Sequence, residues 1–311
     1  MTAHPGPGTG APAGAGPQPR IVTTREALAA ALADRPARRA VVMTMGALHA
    51  GHLALVREAR SLADQVVVTI FVNPLQFGPQ EDLARYPRDL ARDVELLAGA
   101  GADLVFAPDV DEVYPGGDPI VRVTAGGIGA LWEGAQRPGH FDGVLTVVLK
   151  LLNLVTPDVA LFGQKDAQQL MAVRRMVHDL DVPVQVVAVP TVRDEDGVAL
   201  SSRNAYLTPD ERVVARSLSR ALRAGQAVAL AGGEATDVRA AAADVVKAQT
   251  GLVVDYVALV DPATARPVGA GHRGEAVLAV AGRVGATRLI DNVVLDLGVR
   301  ADPGPGQEEE R

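Results

Sequence analysis

Five short clusters stand out in a chain otherwise rich in apolar runs: four have residue types suited to handling an anion, and one offers neutral hydrogen-bonding groups. The first is Met45-Gly46-Ala47-Leu48-His49-Ala50-Gly51-His52, between an expected strand and an expected helix. Glycine there lets backbone approach a phosphate, and the amino end of a helix favours negative charge. Two imidazoles three residues apart can meet one ligand, and both could donate N–H groups to a triphosphate. A lone histidine is read first as a structural residue; His-x-Gly-His at a strand-to-helix turn favours the ligand. Zinc is the weaker alternative, since no third ligand lies at useful spacing.

The second cluster is Phe71-Val72-Asn73-Pro74-Leu75-Gln76-Phe77-Gly78. Asn73 and Gln76 are neutral hydrogen-bonding groups able to read a small polar substrate, although Asn-Pro alone is a turn signal. Downstream, Asp89 and Asp93 share one helix face, as many merely solvated pairs do. The third cluster, Arg137-Pro138-Gly139-His140-Phe141-Asp142-Gly143-Val144, offers Arg137 or His140 to an anion. Ordinary helix-entry punctuation is its plainer reading. In the fourth, Phe162-Gly163-Gln164-Lys165-Asp166-Ala167-Gln168-Gln169, Lys165 can neutralise phosphate, and Asp166 can accept from ribose hydroxyls or cap the helix. Gln169 lies one turn beyond Lys165 on the same side. A lysine at a helix start gains nothing from the helix dipole, which favours a bound anion as its reason, with solvent exposure as the competing one. The fifth, Leu200-Ser201-Ser202-Arg203-Asn204, sets two hydroxyls beside a guanidinium, which suits phosphate oxygens; a polar linker is the alternative.

Three absences narrow the chemistry. The sequence has no Gly-x-x-x-x-Gly-Lys-Ser/Thr loop, no Gly-x-Gly-x-x-Gly after the first strand, and no Gly-x-Ser-x-Gly elbow. A P-loop is excluded, and a dinucleotide dehydrogenase or serine hydrolase of those types is disfavoured.

The clusters need elements to hold them. Short β-branched runs alternate with helical patterns through residue 190, the signature of a parallel α/β sheet. Strands are expected over 40–44, 66–72, 103–107, 159–163 and 184–189. Helices are expected over 51–63, 87–98, 143–155 and 166–180, and another, opened by a Thr23/Glu26 capping box, runs through Ala33. Beyond 191 come two alanine-rich helices, 209–230 and 235–249, and then strands near 253–260, 276–281 and 288–295. The expectation is therefore an α/β chain: residues 21–190 form the parallel-sheet domain and 191–298 a smaller α+β domain, with disordered segments at 1–20 and 299–311.

The chain has 311 residues, 48% of them apolar, enough for a sizeable core. Its net charge of −7 argues against nucleic-acid binding on a broad basic surface. It has no cysteine, so disulfides and thiolate metal sites are excluded, which fits a cytoplasmic enzyme. No apolar run is long enough for a membrane span, and the first 20 residues do not read as a signal peptide.

Taken in order, His-x-Gly-His, Phe-Val-Asn-Pro-x-Gln-Phe, Arg-Pro-Gly-His-Phe, Gly-x-Lys-Asp-x-Gln-Gln and Ser-Ser-Arg-Asn closely resemble the pantothenate synthetases. The resemblance runs from about Ile21 to Leu297, and its specificity lies in the order and spacing of the pieces. It implies a nucleotidyltransferase with a Rossmann-like N-terminal domain that condenses pantoate with β-alanine in pantothenate biosynthesis. ATP is consumed through a pantoyl-adenylate, releasing AMP and pyrophosphate. By the same resemblance His49 and His52 contact ATP phosphates, and Lys165, Ser201, Ser202 and Arg203 hold the remaining phosphate charge. Gly163 and Asp166 lie at the nucleoside and Met45 lines the cavity. Gln76 and Gln169 bond pantoate, with Asn73 nearby. Mg²⁺ accompanies ATP, Asp93 is a candidate metal ligand, and the assembly is a homodimer. Three departures from the family pattern are Met43 where proline is usual, Gln164 where glutamate is common, and Arg92 where many relatives carry a second acid. Two other readings stay open: a nucleotidyltransferase with a different acceptor, and a silent nucleotide-binding protein.

Overall fold

The computed structural model describes residues 17–79, 81 and 83–298. The expected disordered ends therefore lie outside the described residues except at 17–20, where Arg20 already belongs to a strand.

Six parallel strands form the larger sheet: β1 (Arg20–Val22), β2 (Arg39–Thr44), β3 (Gln65–Ile70), β4 (Leu104–Phe106), β5 (Val159–Gly163) and β6 (Gln185–Val189). Their order is β1-β4-β3-β2-β5-β6, so the winding reverses between β2 and β5, which pair directly through Val41↔Ala160. Strands buried on both faces need continuous apolar sequence. Val41, Val42 and Val66 to Val68 are accordingly fully buried. Alternate side chains enter two cores: Val41, Val67 and Ala160 one, and Val42, Val68 and Leu161 the other.

Helices α1 (Arg25–Ala31), α2 (Ala50–Leu62) and α3 (Leu90–Ala98) connect the first strands. Three short helices follow: α4 (Val110–Val113), α5 (Gly126–Gly129) and α6 (Trp132–Gln136). The long α7 (His140–Val155) and α8 (Ala167–Asp179) flank β5. Local chemistry adjusts several expected boundaries. The cap of α1 is Thr24, not Thr23: its hydroxyl accepts from Ala27 N–H at 3.1 Å. Helix α3 starts at Leu90 because the Asp89 carboxylate caps it, accepting from Arg92 N–H at 3.1 Å. Strand β1, with three residues, is too short to show a period, and its pairing with β4 sets it.

A separate antiparallel sheet, β7 (Leu252–Val260), β8 (Gly274–Val284) and β9 (Thr287–Leu297), follows helices α9 (Pro209–Leu230) and α10 (Ala235–Lys247). Thr208 and Glu211 form a capping box at α9, with Pro209 at its first position. One face of this sheet, with Leu259, Leu278 and Val280, packs with Leu218, Leu222 and Val238 of the helices. Ala258, Val260 and Val277 of the other face join the core of the larger sheet. Period-two strands thus seat the small sheet between two partners.

One buried cation ties the entry edge of the large sheet. Arg39, 2% exposed, donates through Nε to Gln65 at 2.7 Å and through its terminal nitrogens to the carbonyls of Val155 and Leu32, both at 2.9 Å. Its own N–H donates to Asp158 at 2.8 Å. Arg39→Met keeps the apolar stem but strands these acceptors. It is expected to lower unfolding free energy by about 3 kcal/mol in urea titrations; a loss below about 1 kcal/mol would show the acceptors find other partners.

Candidate active site

In a doubly wound sheet, ligands bind at the carboxyl ends of the strands where the winding reverses. Here the loop after β2 carries the histidine pair and the loop after β5 carries Lys165 and Asp166. Between them lies a cleft of about 1490 Å³, open solvent at its mouth included. Its walls bring together Met45, His49, His52, Gln76, Gly163, Lys165, Asp166, Gln169, Ser201, Ser202 and Arg203. Arg137 and His140, which read from sequence first as helix punctuation, line it too.

The histidine pair is built as a helix cap. His49 is the N-cap of α2, and its Nδ1 accepts from Gly51 N–H at 3.1 Å. His52 Nδ1 accepts in return from His49 N–H at 3.3 Å. Each ring thus spends Nδ1 as an acceptor, so in the neutral imidazole the proton sits on Nε2, the nitrogen left for a ligand. The rings lie 4.1 Å apart, centroid to centroid. Gly51 is needed by the cap: a Cβ there would stand 2.9 Å from the His49 ring. Burial first, then the His49 charge, pushes the His52 pKa from 6.5 down to about 3. Burial and then Lys165 lower that of His49. Both rings are neutral donors at neutral pH.

The Asn-Pro turn divides its two expected binders. Gln76 faces the cleft, with Nε2 3.2 Å from Met45 Sδ. Asn73 does not reach it. It is 1% exposed, its amide donates to Gln76 Oε1 at 3.0 Å and to Gly143 O at 3.1 Å, and its carbonyl accepts from Tyr114 Oη–H at 2.9 Å and Leu75 N–H at 3.3 Å. Asn73 therefore holds Gln76 rather than a ligand. Gly143 permits this, because a Cβ there would strike the Leu75 carbonyl.

Asp93 likewise lies outside the cleft wall. Its carboxylate is 2% exposed, and its oxygens accept from Leu48 N–H at 2.8 Å and Ala47 N–H at 3.0 Å. A ligand to magnesium needs free oxygen lone pairs facing the ion. Asp93 does not fit, and no group of three or more His, Asp or Glu among the described residues could hold a metal. Neighbouring Arg92 is exposed.

Cationic groups cluster on the opposite wall. Lys165 Nζ lies 3.4 Å from the half-exposed Asp166 carboxylate. Desolvation pushes the Asp166 pKa up, but Lys165, Arg203 and His140 together hold it below its ordinary value. Arg137 pairs with Glu81, donating at 2.7 Å, and donates to His140 Nε2 at 2.9 Å. His140 Nδ1–H in turn donates to the Gln76 carbonyl at 2.9 Å. Burial and then the Arg137 charge push the His140 pKa to about 4. The small sheet reaches this wall through Asn292, whose amide donates to the carbonyls of Gln164 and Lys165, both at 2.9 Å. Buried Gln168 anchors the preceding segment, donating to Ile128 O at 2.7 Å and Leu131 O at 2.8 Å.

His52 and His140, the most strongly depressed of the three cleft histidines, make stability pH-dependent. Between about 6.5 and their folded values the unfolded chain binds protons that the folded chain does not. Stability therefore falls as pH drops below about 6.5. Gln at the third helix position of a capping box can still accept the His49 N–H. The His52→Gln thermal midpoint is expected to fall less steeply from pH 6.5 to 5 than the parent's; parallel curves would remove His52 from the acid limb.

Comparison with known proteins adds the family. The sequence profile described as Pantoate-beta-alanine ligase matches residues 20–294. The pantothenate synthetase of Streptomyces coelicolor is 56% identical, with 85% of this chain and 92% of that protein covered. That of Thermobifida fusca is 54% identical over 90% and 96% of the two chains. The crystal structure of the Thermus thermophilus pantothenate synthetase aligns with a TM-score of 0.83 at 53% identity, over 88% of this chain and 98% of that one. The Francisella tularensis pantoate-beta-alanine ligase, described as complexed with Beta-gamma ATP and Beta-alanine, aligns at 0.71 and 32% identity, over 89% and 97%. With a profile spanning nearly all the described residues and relatives above half identity, the chain belongs to the pantoate–β-alanine ligase family of enzymes.

Proposed function

We propose that the cleft condenses pantoate with β-alanine to pantothenate at the expense of ATP, through a pantoyl-adenylate. A pantoate carboxylate oxygen attacks the α-phosphorus, the bond to the bridging oxygen breaks, and pyrophosphate leaves. The neutral amine of β-alanine then attacks the acyl carbon of the mixed anhydride, and AMP leaves with the bond electrons.

The observation that carries this reading is the convergence of His49, His52, Lys165 and Arg203 with two neutral glutamines in one cleft. The first four serve the phosphates, with Ser201 and Ser202 beside them, and Gly163, Asp166 and Met45 serve the nucleoside side. Gln76 and Gln169 bond pantoate through groups that carry no charge to repel or trap a carboxylate. No protein nucleophile is needed, because positioning and charge stabilisation supply the rate. Magnesium enters with the ATP phosphates, as part of the substrate. No side chain is assigned as the base that deprotonates β-alanine.

The same proposal assigns residues 21–190 to nucleotide and pantoate binding. It makes 191–298 a lid that keeps water from the adenylate, which water would hydrolyse. It takes the enzyme to be a cytoplasmic homodimer, as the family resemblance implies. Among the described residues no helix is long and apolar enough to cross a membrane.

Purified protein with ATP, Mg²⁺, pantoate and β-alanine is expected to form AMP and pantothenate in equal amounts. Each should require both substrates. Lys165→Ala and His52→Ala are each expected to lower turnover about a hundredfold or more while the fold persists, the cost of one lost transition-state donor. Full turnover in either variant would remove that residue from the phosphate site, and absence of AMP from the parent would overturn the ligase reading.

A further inference from the structure

We infer that Asp93 is a positioning residue for the His49–His52 pair: its buried carboxylate holds the strained turn that aims the two rings. The inference rests on the reading of the cleft as a phosphate site. Two consecutive residues of this turn have positive φ, Gly46 at 84° and Ala47 at 51°. Glycine takes that conformation freely, whereas alanine does so at a cost. Such strain persists only where the surroundings over-determine it.

Asp93 supplies that determination. Its Oδ2 accepts from the N–H of Ala47, the strained residue itself, and its Oδ1 from the N–H of Leu48. Thr44 Oγ1 adds a bond from Gly46 N–H at 3.2 Å. The next residue is His49, whose ring and backbone close the cap with His52 and Gly51. The donors to be aimed therefore begin one residue beyond the clamp. A carboxylate suits the task because it accepts at both oxygens. An amide of the same shape can accept from Leu48 but then points its own N–H groups at that of Ala47.

The arrangement also separates this role from metal binding. Asp93 lies beneath the turn, with Met45, Gly46 and Ile70, on a pocket away from the histidine rings. Its oxygens are occupied from the turn side, so its loss should act through geometry and leave the demand for Mg²⁺ unchanged.

The test measures turnover against ATP and Mg²⁺ concentration for the parent, Asp93→Asn, Ala47→Gly and the double variant, with folding checked by thermal midpoint. Asp93→Asn is expected to lower kcat about tenfold to a hundredfold, the scale of an ångström-level misplacement, with half-saturating Mg²⁺ unchanged. Ala47→Gly removes the positive-φ strain and should restore much of that loss in the Asp93→Asn background, a coupling between the two positions. Recovery by high Mg²⁺ would instead make Asp93 a metal ligand and overturn the inference. So would a folded Asp93→Asn enzyme at the parent rate, or one that Ala47→Gly leaves unimproved. Should Asp93→Asn not fold, Ala47→Val applies the opposite pressure with the carboxylate intact, and a parent-like kcat there overturns the inference. A parent enzyme without turnover overturns the ligase reading itself; a turning-over parent with a fully active Asp93→Asn overturns the positioning role alone.

Discussion

The direct pairing of β2 with β5 is the contact on which the site depends. Val41 faces Ala160 and Val42 faces Leu161 across parallel hydrogen bonds, while the windings on the two sides run in opposite directions. The loops leaving the two strands therefore diverge, and a crevice opens between chain segments more than a hundred residues apart. The apolar uniformity of these strands has a functional consequence. With both faces buried the two strand ends are fixed relative to one another, and so are the cap carrying His49 and the loop carrying Lys165.

Around this rigid centre, polar side chains that touch no ligand do the finer placement. Asn73 spends its hydrogen-bonding capacity on Gln76, Gly143, Leu75 and Tyr114. Asn292, from the small sheet, holds two successive carbonyls of the Lys165 loop. The small sheet is itself moored to helix α6, since Glu133 accepts from Arg288 at 2.6 and 2.7 Å and from Tyr256 at 2.8 Å. Trp132 donates to the Ala265 carbonyl at 2.9 Å alongside. Any displacement of the small sheet must be felt at Lys165, because one amide spans the gap. The second unit is thus part of the site's construction.

Much of this was legible in the residues, and what was not has identifiable causes. The core strands were plain because a doubly buried strand needs an apolar run and its limits are set by charge or glycine, as at Arg39 and Gly163. Helix α9 spans Pro209–Leu230, the bounds its alanine-rich pattern predicts. Strand β1 and the helices α4 to α6 carry too few residues for any period to show. At the site, groups that face the ligand and groups that hold them are chemically alike. Nothing local distinguishes Asn73 from Gln76, or Gln168 from Gln169; burial does, and burial is decided by α7 and α5 packing from elsewhere. Asp93 shows the same limit. The family resemblance implies a metal role for it, while the N–H groups that claim it lie 45 and 46 residues away. Pro138 and Gly139 do punctuate the helix entry, which masks Arg137 and His140 in the sequence; the same bend also turns both side chains into the cleft.

The charge state of the histidines fits a reaction in which an anion must leave. Both rings are held neutral by burial, by Lys165, and by the use of Nδ1 within the cap. They can therefore offer oriented N–H dipoles where Lys165 and Arg203 offer full charge. Fixed dipoles aimed at developing charge need no reorganisation as it appears. A site of four full cations would hold departing pyrophosphate nearly as well as the transition state, and uniform binding of that kind does not raise turnover. Two charges and two dipoles give a gentler gradient. Burial enforces it first at both rings, Lys165 adds to it, and the 4.1 Å ring separation keeps the two from being charged together. The burial of the His-x-Gly-His turn thus sets its protonation state, while its capping bonds set its shape.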